Sequence, residues 1–284
     1  MAIESVGVVG CGLMGAGIAQ VCAARGHKTL VREVSRELLD KGLGRIRAFL
    51  AEGVRRGKVP QADMDRTLAN LSGTTSVADL ASCDLVVEAI VENLEEKRKL
   101  FAELDRACKP ATILASNTSS ISITAIASAT KREGQCIGLH FMNPVPLMKL
   151  VEIVRPELTS PGTYAAARAF AEGLGKTVVT AKDTPGFIVN LLLVPYLCEA
   201  VRAVEHGVAT AEDIDAAMEL GCNVPMGPLK LLDFVGLDTT LYIIDVMFGE
   251  FHDPRYAAPP LLRRMVAAGR LGKKSGRGFY EYPK

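Results

Sequence analysis

The chain has 284 residues, 49% of them apolar and 23% charged, with a formal net charge of +1. That length suits one large domain with a smaller one beside it. The composition excludes a disordered or fibrous protein, and the near-neutral balance excludes a broad nucleic-acid surface, which would make a domain strongly basic. The seven cysteines, from Cys11 to Cys222, are odd in number, scattered and never spaced as CxxC, the usage of reduced thiols in the cytoplasm.

The first strand-like run, SVGVVG, begins within five residues of Met1, which argues against a leader peptide. From residue 5 to about 182, short apolar runs alternate with amphipathic ones. This predicts an α/β fold, Rossmann-like, with a mostly parallel doubly wound sheet. The strands are read at VGVVG, KTLV, DLVVEAI, TILAS, CIGLHF, KLVEIV and TVVTA.

Gly10, Gly12 and Gly15 follow the first strand in GxGxxG spacing, and Glu33 ends the second strand 18 residues later. In that context the glycines serve a tight turn, close approach of a pyrophosphate and helix-on-strand packing, while a helix N-terminus meets the phosphates. Glu33 can accept from ribose hydroxyls and repel a 2′-phosphate, which favours NAD over NADP; Arg32 beside it works the other way. In RELLDKGLGRIRAFLAEGVRR, Leu39, Leu43, Ile46, Leu50 and Val54 recur at three and four, so that segment is a helix with one buried stripe.

Ligands of open α/β sheets sit beyond the carboxyl ends of the strands. Glu88, Glu92 and Lys97, the stretch SNTSS at 116–120, and His140 all fall there. Ser120 or Ser122 can cap a following helix, and the surplus of hydroxyls is left for ligand contacts. A loop marked by Pro144 and Pro146 separates His140 from Glu152 and can bring them together, as a base near neutral pKa and an acid.

After DTPG at 183–186 the pattern turns helical, with no convincing strand before the closing GFYEY. FIVNLLLVPYLCEAV is broken by Asn190, Pro195 and Glu199 well short of the ~20 apolar residues a membrane span needs, and it reads as a buried helix. Thr210 and Gly221 are its successor's start and stop signals. The domains are therefore 1–184, with a helical arm at about 36–70, and 185–284. Asn190 inside its apolar run requires a hydrogen-bond partner, and a substrate oxygen is one candidate.

GVVGCGLMGAGIA, DLVVEAIVENLEEK, ILASNTSSISIT, GLHFMNPVPLMKLVEI, KDTPGFIVN, MGPLKLLDFVGLD and GKKSGRGFYEY, in this order, resemble the NAD-dependent L-3-hydroxyacyl-CoA dehydrogenases, bacterial 3-hydroxybutyryl-CoA dehydrogenases among them, over essentially the whole chain. The resemblance implies hydride transfer between (S)-3-hydroxyacyl-CoA and NAD. It gives His140 the part of catalytic histidine, Glu152 that of its orienting acid, and Ser119 and Asn190 the substrate oxygens. NAD would be met by Gly10, Gly12, Leu13, Met14, Gly15, Glu33, Glu92, Lys97, Ser119, Asn143 and Lys274, and CoA by Arg55, Arg56 and Lys58. A homodimer through the helical domain is implied, with no nucleic-acid or membrane partner. Glu33 departs from the usual aspartate, Leu191 from arginine and Lys230 from an acid. The rival readings are a dehydrogenase of a CoA-free hydroxy or sugar acid, and a silent NAD-binding crystallin-like protein, which the presence of both His140 and Glu152 opposes.

Overall fold

Along β1 (Ser5–Val9), Val6 and Val8 pack into the core on one side of a sheet and Val9 into the core on the other. This period-2 alternation marks a strand buried on both faces. In the computed structural model, which describes residues 2–283, the chain forms two compact units, the first ending at Thr184 and the second starting at Pro185.

In the first unit β1 leads through a glycine loop to α1 (Leu13–Ala24), then β2 (Lys28–Arg32), α2 (Arg36–Arg55), α3 (Gln61–Ala69) and β3 (Leu71–Thr74). There follow β4 (Leu85–Glu88), α4 (Leu94–Ala107), β5 (Ile113–Ser116), α5 (Ile123–Ala127), β6 (Cys136–Phe141), β7 (Leu150–Arg155), α6 (Pro161–Gly173) and β8 (Thr177–Lys182). The sheet order is β3-β2-β1-β4-β5-β6-β7-β8. Every neighbouring pair is parallel except β6 and β7, which run antiparallel. One core joins the sheet to α1, α2 and α6, the other joins it to α4 and α5, so helices cover both faces.

Two strand readings change. The edge strand β3 is additional to the expected seven, because LSGT carries no apolar run and is only partly covered. The strand in DLVVEAI stops at Glu88, whose Oε1 accepts the Ile90 N–H at 2.7 Å and turns the chain.

The second unit contains α7 (Val189–Glu205), α8 (Ala211–Cys222), α9 (Pro228–Val235), α10 (Leu237–Phe251) and α11 (Pro260–Ala267). The helix α7 is buried on one side only, with Val194, Leu197, Cys198 and Val201 in the core and Leu192 exposed. Thr210 caps α8 by accepting from Asp213 N, but Gly221 does not end it. The helix continues to Cys222, and Asn223 in the left-handed region (φ +55) closes it. The closing GFYEY forms no strand: only isolated bridges occur there, and the tail is held by Asp233, which accepts from Phe279 N, Tyr280 N and Tyr282 Oη. No described helix is long and apolar enough to cross a membrane.

Candidate active site

The glycine loop has the shape its spacing demands. Gly10 has φ +92, and a Cβ there would lie 2.6 Å from the Ala89 carbonyl oxygen; a Cβ on Gly15 would lie 1.8 Å from the Gly10 carbonyl oxygen. Gly12, by contrast, borders open space. The helix α1 starts at Gly12 with no side-chain cap and no acid in its first turn, so its N-terminal partial charge is available to an anion. These features fit a dinucleotide pyrophosphate.

Glu33 at the end of β2 accepts the Cys11 N–H at 2.6 Å through Oε1 and the Val34 N–H at 3.0 Å through Oε2. Arg45 of α2 donates to the Cys11 carbonyl at 3.2 Å, so both polar atoms of the Cys11 backbone are held. Burial, with Glu33 next, pushes the Cys11 thiol up to about 11, so it stays protonated and unreactive at neutral pH.

His140 and Glu152 are directly opposite each other in the β6–β7 ladder. Opposed residues of an antiparallel pair project to the same face, and Nδ1 of His140 lies 2.6 Å from Oε2 of Glu152. Both are buried, at 5% and 0% exposure. On the far side of the ring, Nε2 is 3.1 Å from Ser119 Oγ. The sequence placed the pair at two strand ends; the structure puts them one or two residues inside the ends, on adjacent strands.

The hydroxyl surplus in SNTSS is largely used inside the protein. Ser116 Oγ donates to Glu88 at 2.5 Å, Asn117 Oδ1 accepts from Phe141 N at 2.9 Å, and Thr118 Oγ1 donates to Glu92. Ser120 gives its N–H to Thr118. The cap of α5 is Ser122, not Ser120: its Oγ accepts from Ala125 N. Asp183, which sequence reasoning passed over, takes up the Ser122 hydroxyl and the N–H groups of Ile123 and Thr124.

Glu92 and Lys97 also lie differently from an open cofactor surface. Lys97 is 1% exposed, with Nζ 2.6 Å from Glu88 and 3.1 Å from Glu92. Glu92 in turn accepts the Ser119 N–H at 3.0 Å. Lys97 therefore reaches His140 through Glu92 and Ser119, as part of the frame beneath the loop.

Asn143 is exposed at the start of the loop between β6 and β7. In the second unit, Asn190 lies one residue into α7 and is 9% exposed; Lys274 pairs with Asp238 at 2.5 Å, and Lys230 pairs with Glu219 at 2.9 Å. On the arm, Arg55 and Arg56 both bind Glu52, each at 2.5 Å. Arg56 and Lys58, though not Arg55, line a cavity of about 890 Å³. Its wall also carries Arg25, Lys149 and Lys176, cations that no local motif marked.

A family model described as the 3-hydroxyacyl-CoA dehydrogenase NAD binding domain matches residues 5–184, and one described as the C-terminal domain matches residues 186–282. The chain is 52% identical over 283 residues to a 3-hydroxybutyryl-CoA dehydrogenase of Mycobacterium tuberculosis, covering 99% of each. It is 49% identical over 287 residues to the mitochondrial hydroxyacyl-coenzyme A dehydrogenase of Sus scrofa, covering 99% of this chain and 91% of that one. A crystal structure of (S)-3-hydroxybutyryl-CoA dehydrogenase from Ralstonia eutropha superposes with a TM-score of 0.95 at 45% identity, covering 100% of both chains.

Proposed function

We propose, because the chain belongs to the 3-hydroxyacyl-CoA dehydrogenase family, that it interconverts (S)-3-hydroxyacyl-CoA and 3-ketoacyl-CoA, with 3-hydroxybutyryl-CoA and acetoacetyl-CoA as the favoured pair. NAD, when bound, supplies the hydride acceptor. The observation that carries the reading is the hydrogen-bonded run from Glu152 through His140 to Ser119.

A carboxylate only accepts hydrogen bonds, so Glu152 keeps a proton on Nδ1 and makes Nε2 the acceptor, to which the Ser119 hydroxyl donates. Nε2 is then the base that takes the proton of the C3 hydroxyl as hydride leaves that carbon. The buried carboxylate steadies the imidazolium that forms. In reduction, Nε2–H donates its proton to the ketone oxygen. The resemblance gives Ser119, and Asn190 of the second unit, the part of holding the reacting oxygens.

Gly10, Gly12, Leu13, Met14 and Gly15 would receive the pyrophosphate, and Glu33 the adenosine ribose. Asn143 and Lys274 remain cofactor contacts on the strength of the resemblance, while the burial of Lys97 favours an indirect part through Glu92. The cations of the cavity support Arg56 and Lys58 as partners of the CoA phosphates. Exposed Leu192, Leu220, Phe234 and Phe248 support a homodimer through the second unit, and six buried free cysteines support a reducing, cytoplasmic setting.

The test is NADH oxidation dependent on acetoacetyl-CoA. Turnover abolished in His140→Ala, with NADH binding intact, is the expected result. An absence of wild-type turnover with acyl-CoAs of every chain length overturns the reading.

A further inference from the structure

Lys176 sits in the turn between α6 and β8. Its Nζ donates to the carbonyl oxygens of Val145 at 2.5 Å and Met148 at 2.7 Å. Both acceptors belong to the segment that joins the strand of His140 to the strand of Glu152. At its far end the segment is held by Thr177 N, which donates to Lys149 O at 2.7 Å, while within it Leu147 N and Met148 N both donate to Pro144 O. Lys176 ties that segment to another part of the fold.

The same lysine lines the 890 Å³ cavity, with Arg25, Arg56, Lys58 and Lys149 on the wall. Arg25 lies against the same turn: a Cβ on Gly175, which has φ +77, would lie 2.5 Å from Arg25 Nη2. Two acids also line the wall, Glu52 beside Arg55 and Arg56 and Asp63 beside Arg66, against six cations, Arg25, Arg56, Lys58, Arg66, Lys149 and Lys176. Burial, then the charge of Arg25, lowers the Lys176 pKa. Two cations thus crowd one turn, and an anion in the cavity would relieve their repulsion.

We infer that Lys176 is a positioning residue that couples the anionic nucleotide end of the thioester substrate to the His140–Glu152 pair, by fixing the intervening loop through its two carbonyls. The inference rests on the CoA reading above. Its consequence is that the 3′-phospho-ADP portion of the substrate raises kcat as well as lowering KM, since remote binding energy is then used to order the reacting end.

The experiment compares acetoacetyl-CoA with acetoacetyl-pantetheine, which lacks that nucleotide, in NADH oxidation by wild type, Lys176→Gln and Lys176→Arg. For wild type the truncated thioester is expected to lower kcat roughly 10- to 100-fold, with partial recovery when adenosine 3′,5′-bisphosphate is added separately. Lys176→Gln should show the low kcat with both thioesters and no recovery, at unchanged NADH affinity. Lys176→Arg, which retains charge and several donors, should recover part of the difference.

A wild-type difference confined to KM overturns the coupling while leaving CoA binding in place. So does a Lys176→Gln enzyme that keeps the full kcat difference. Equal kcat and KM for the two thioesters in wild type defeats the CoA reading itself. If Lys176→Gln fails to fold, Arg25→Gln takes its place: a smaller nucleotide-dependent gain in kcat is expected, and an unaltered gain overturns the proposal.

Discussion

Lys97 and Glu88 meet at 2.6 Å with their side chains at 1% and 0% exposure, beneath the loop that carries Ser119. Two charges withdrawn from water are costly, and each is tolerable only because the other is there. Glu88 is further satisfied by Ser116 Oγ and Ile90 N, and Lys97 by Glu92. Lys97→Met leaves Glu88 buried without its cation and should destabilise the protein by about 3–5 kcal/mol, read by urea denaturation. Lys97→Met with Glu88→Gln should recover much of that loss, because the uncompensated charge is gone. Equal destabilisation in the single and double variants would refute the pair's mutual dependence.

The His140–Glu152 contact predicts a specific kinetic defect. In Glu152→Gln the side chain keeps its size, but its amide can donate to Nδ1 and so favour the tautomer with the proton on Nε2, which is useless as a base. We expect kcat to fall about 10²- to 10⁴-fold, with NADH affinity within a factor of about two of wild type because no general-base step enters cofactor binding. Stopped-flow turnover and NADH fluorescence titration measure the two quantities separately. A Glu152→Gln enzyme with wild-type kcat would remove the orienting role.

How much of this was legible in the sequence depended on whether the signal was local. The glycine loop was legible because φ +92 at Gly10 and the 1.8 Å approach at Gly15 each tolerate only glycine. The fold was legible through apolar runs of fixed period, except at β3, whose LSGT lies at the sheet edge with too little burial to leave a pattern. His140 and Glu152 were readable as a pair because one connection, residues 142–149, joins strands that lie side by side. The end of α8 was misplaced because Asn223 supplied the left-handed residue in place of Gly221. The ties from Lys97 to Glu92, from Asp183 to α5 and from Lys176 to Val145 and Met148 had no local signature, since their partners are set by packing.

Glu33 offers a test at the cofactor end. Its carboxylate holds Cys11 N, and Arg45 holds Cys11 O. Glu33→Ala should loosen the glycine loop and remove the repulsion of a 2′-phosphate. KM for NADH is expected to rise about tenfold, the loss of one charge-assisted hydrogen bond of roughly 1.5 kcal/mol, while discrimination against NADPH shrinks. Gly15→Ala should be far more damaging, because its added methyl meets the Gly10 backbone, and little folded protein is expected. Steady-state kinetics with both cofactors, beside circular dichroism of the glycine variant, decide these outcomes. An NADPH to NADH ratio unmoved by Glu33→Ala would show that Glu33 does not govern the choice.

Asp84 gives the first unit a defined acid sensitivity. It precedes β4, and Oδ2 accepts the N–H groups of Glu4 and Ser5, each at 2.9 Å, together with the Ser5 hydroxyl at 2.8 Å. Its Oδ1 lies 2.6 Å from Lys109 Nζ. Burial alone would raise the carboxyl, but Lys109 and the donors of Ser5 and Glu4 outweigh it and hold Asp84 well below the usual carboxylate range. A depressed folded-state pKa means that the stabilisation is fully present above the unfolded value of about 3.9 and is lost as pH falls through the folded one. Asp84→Asn should therefore cost about 1–3 kcal/mol at pH 7, and the gap to wild type should close as the medium is made more acid than about pH 4. Denaturant unfolding of both proteins at a series of pH values measures it. A gap that stays constant down to the acid limit would mean that the carboxylate charge contributes nothing and that the loss comes from packing alone.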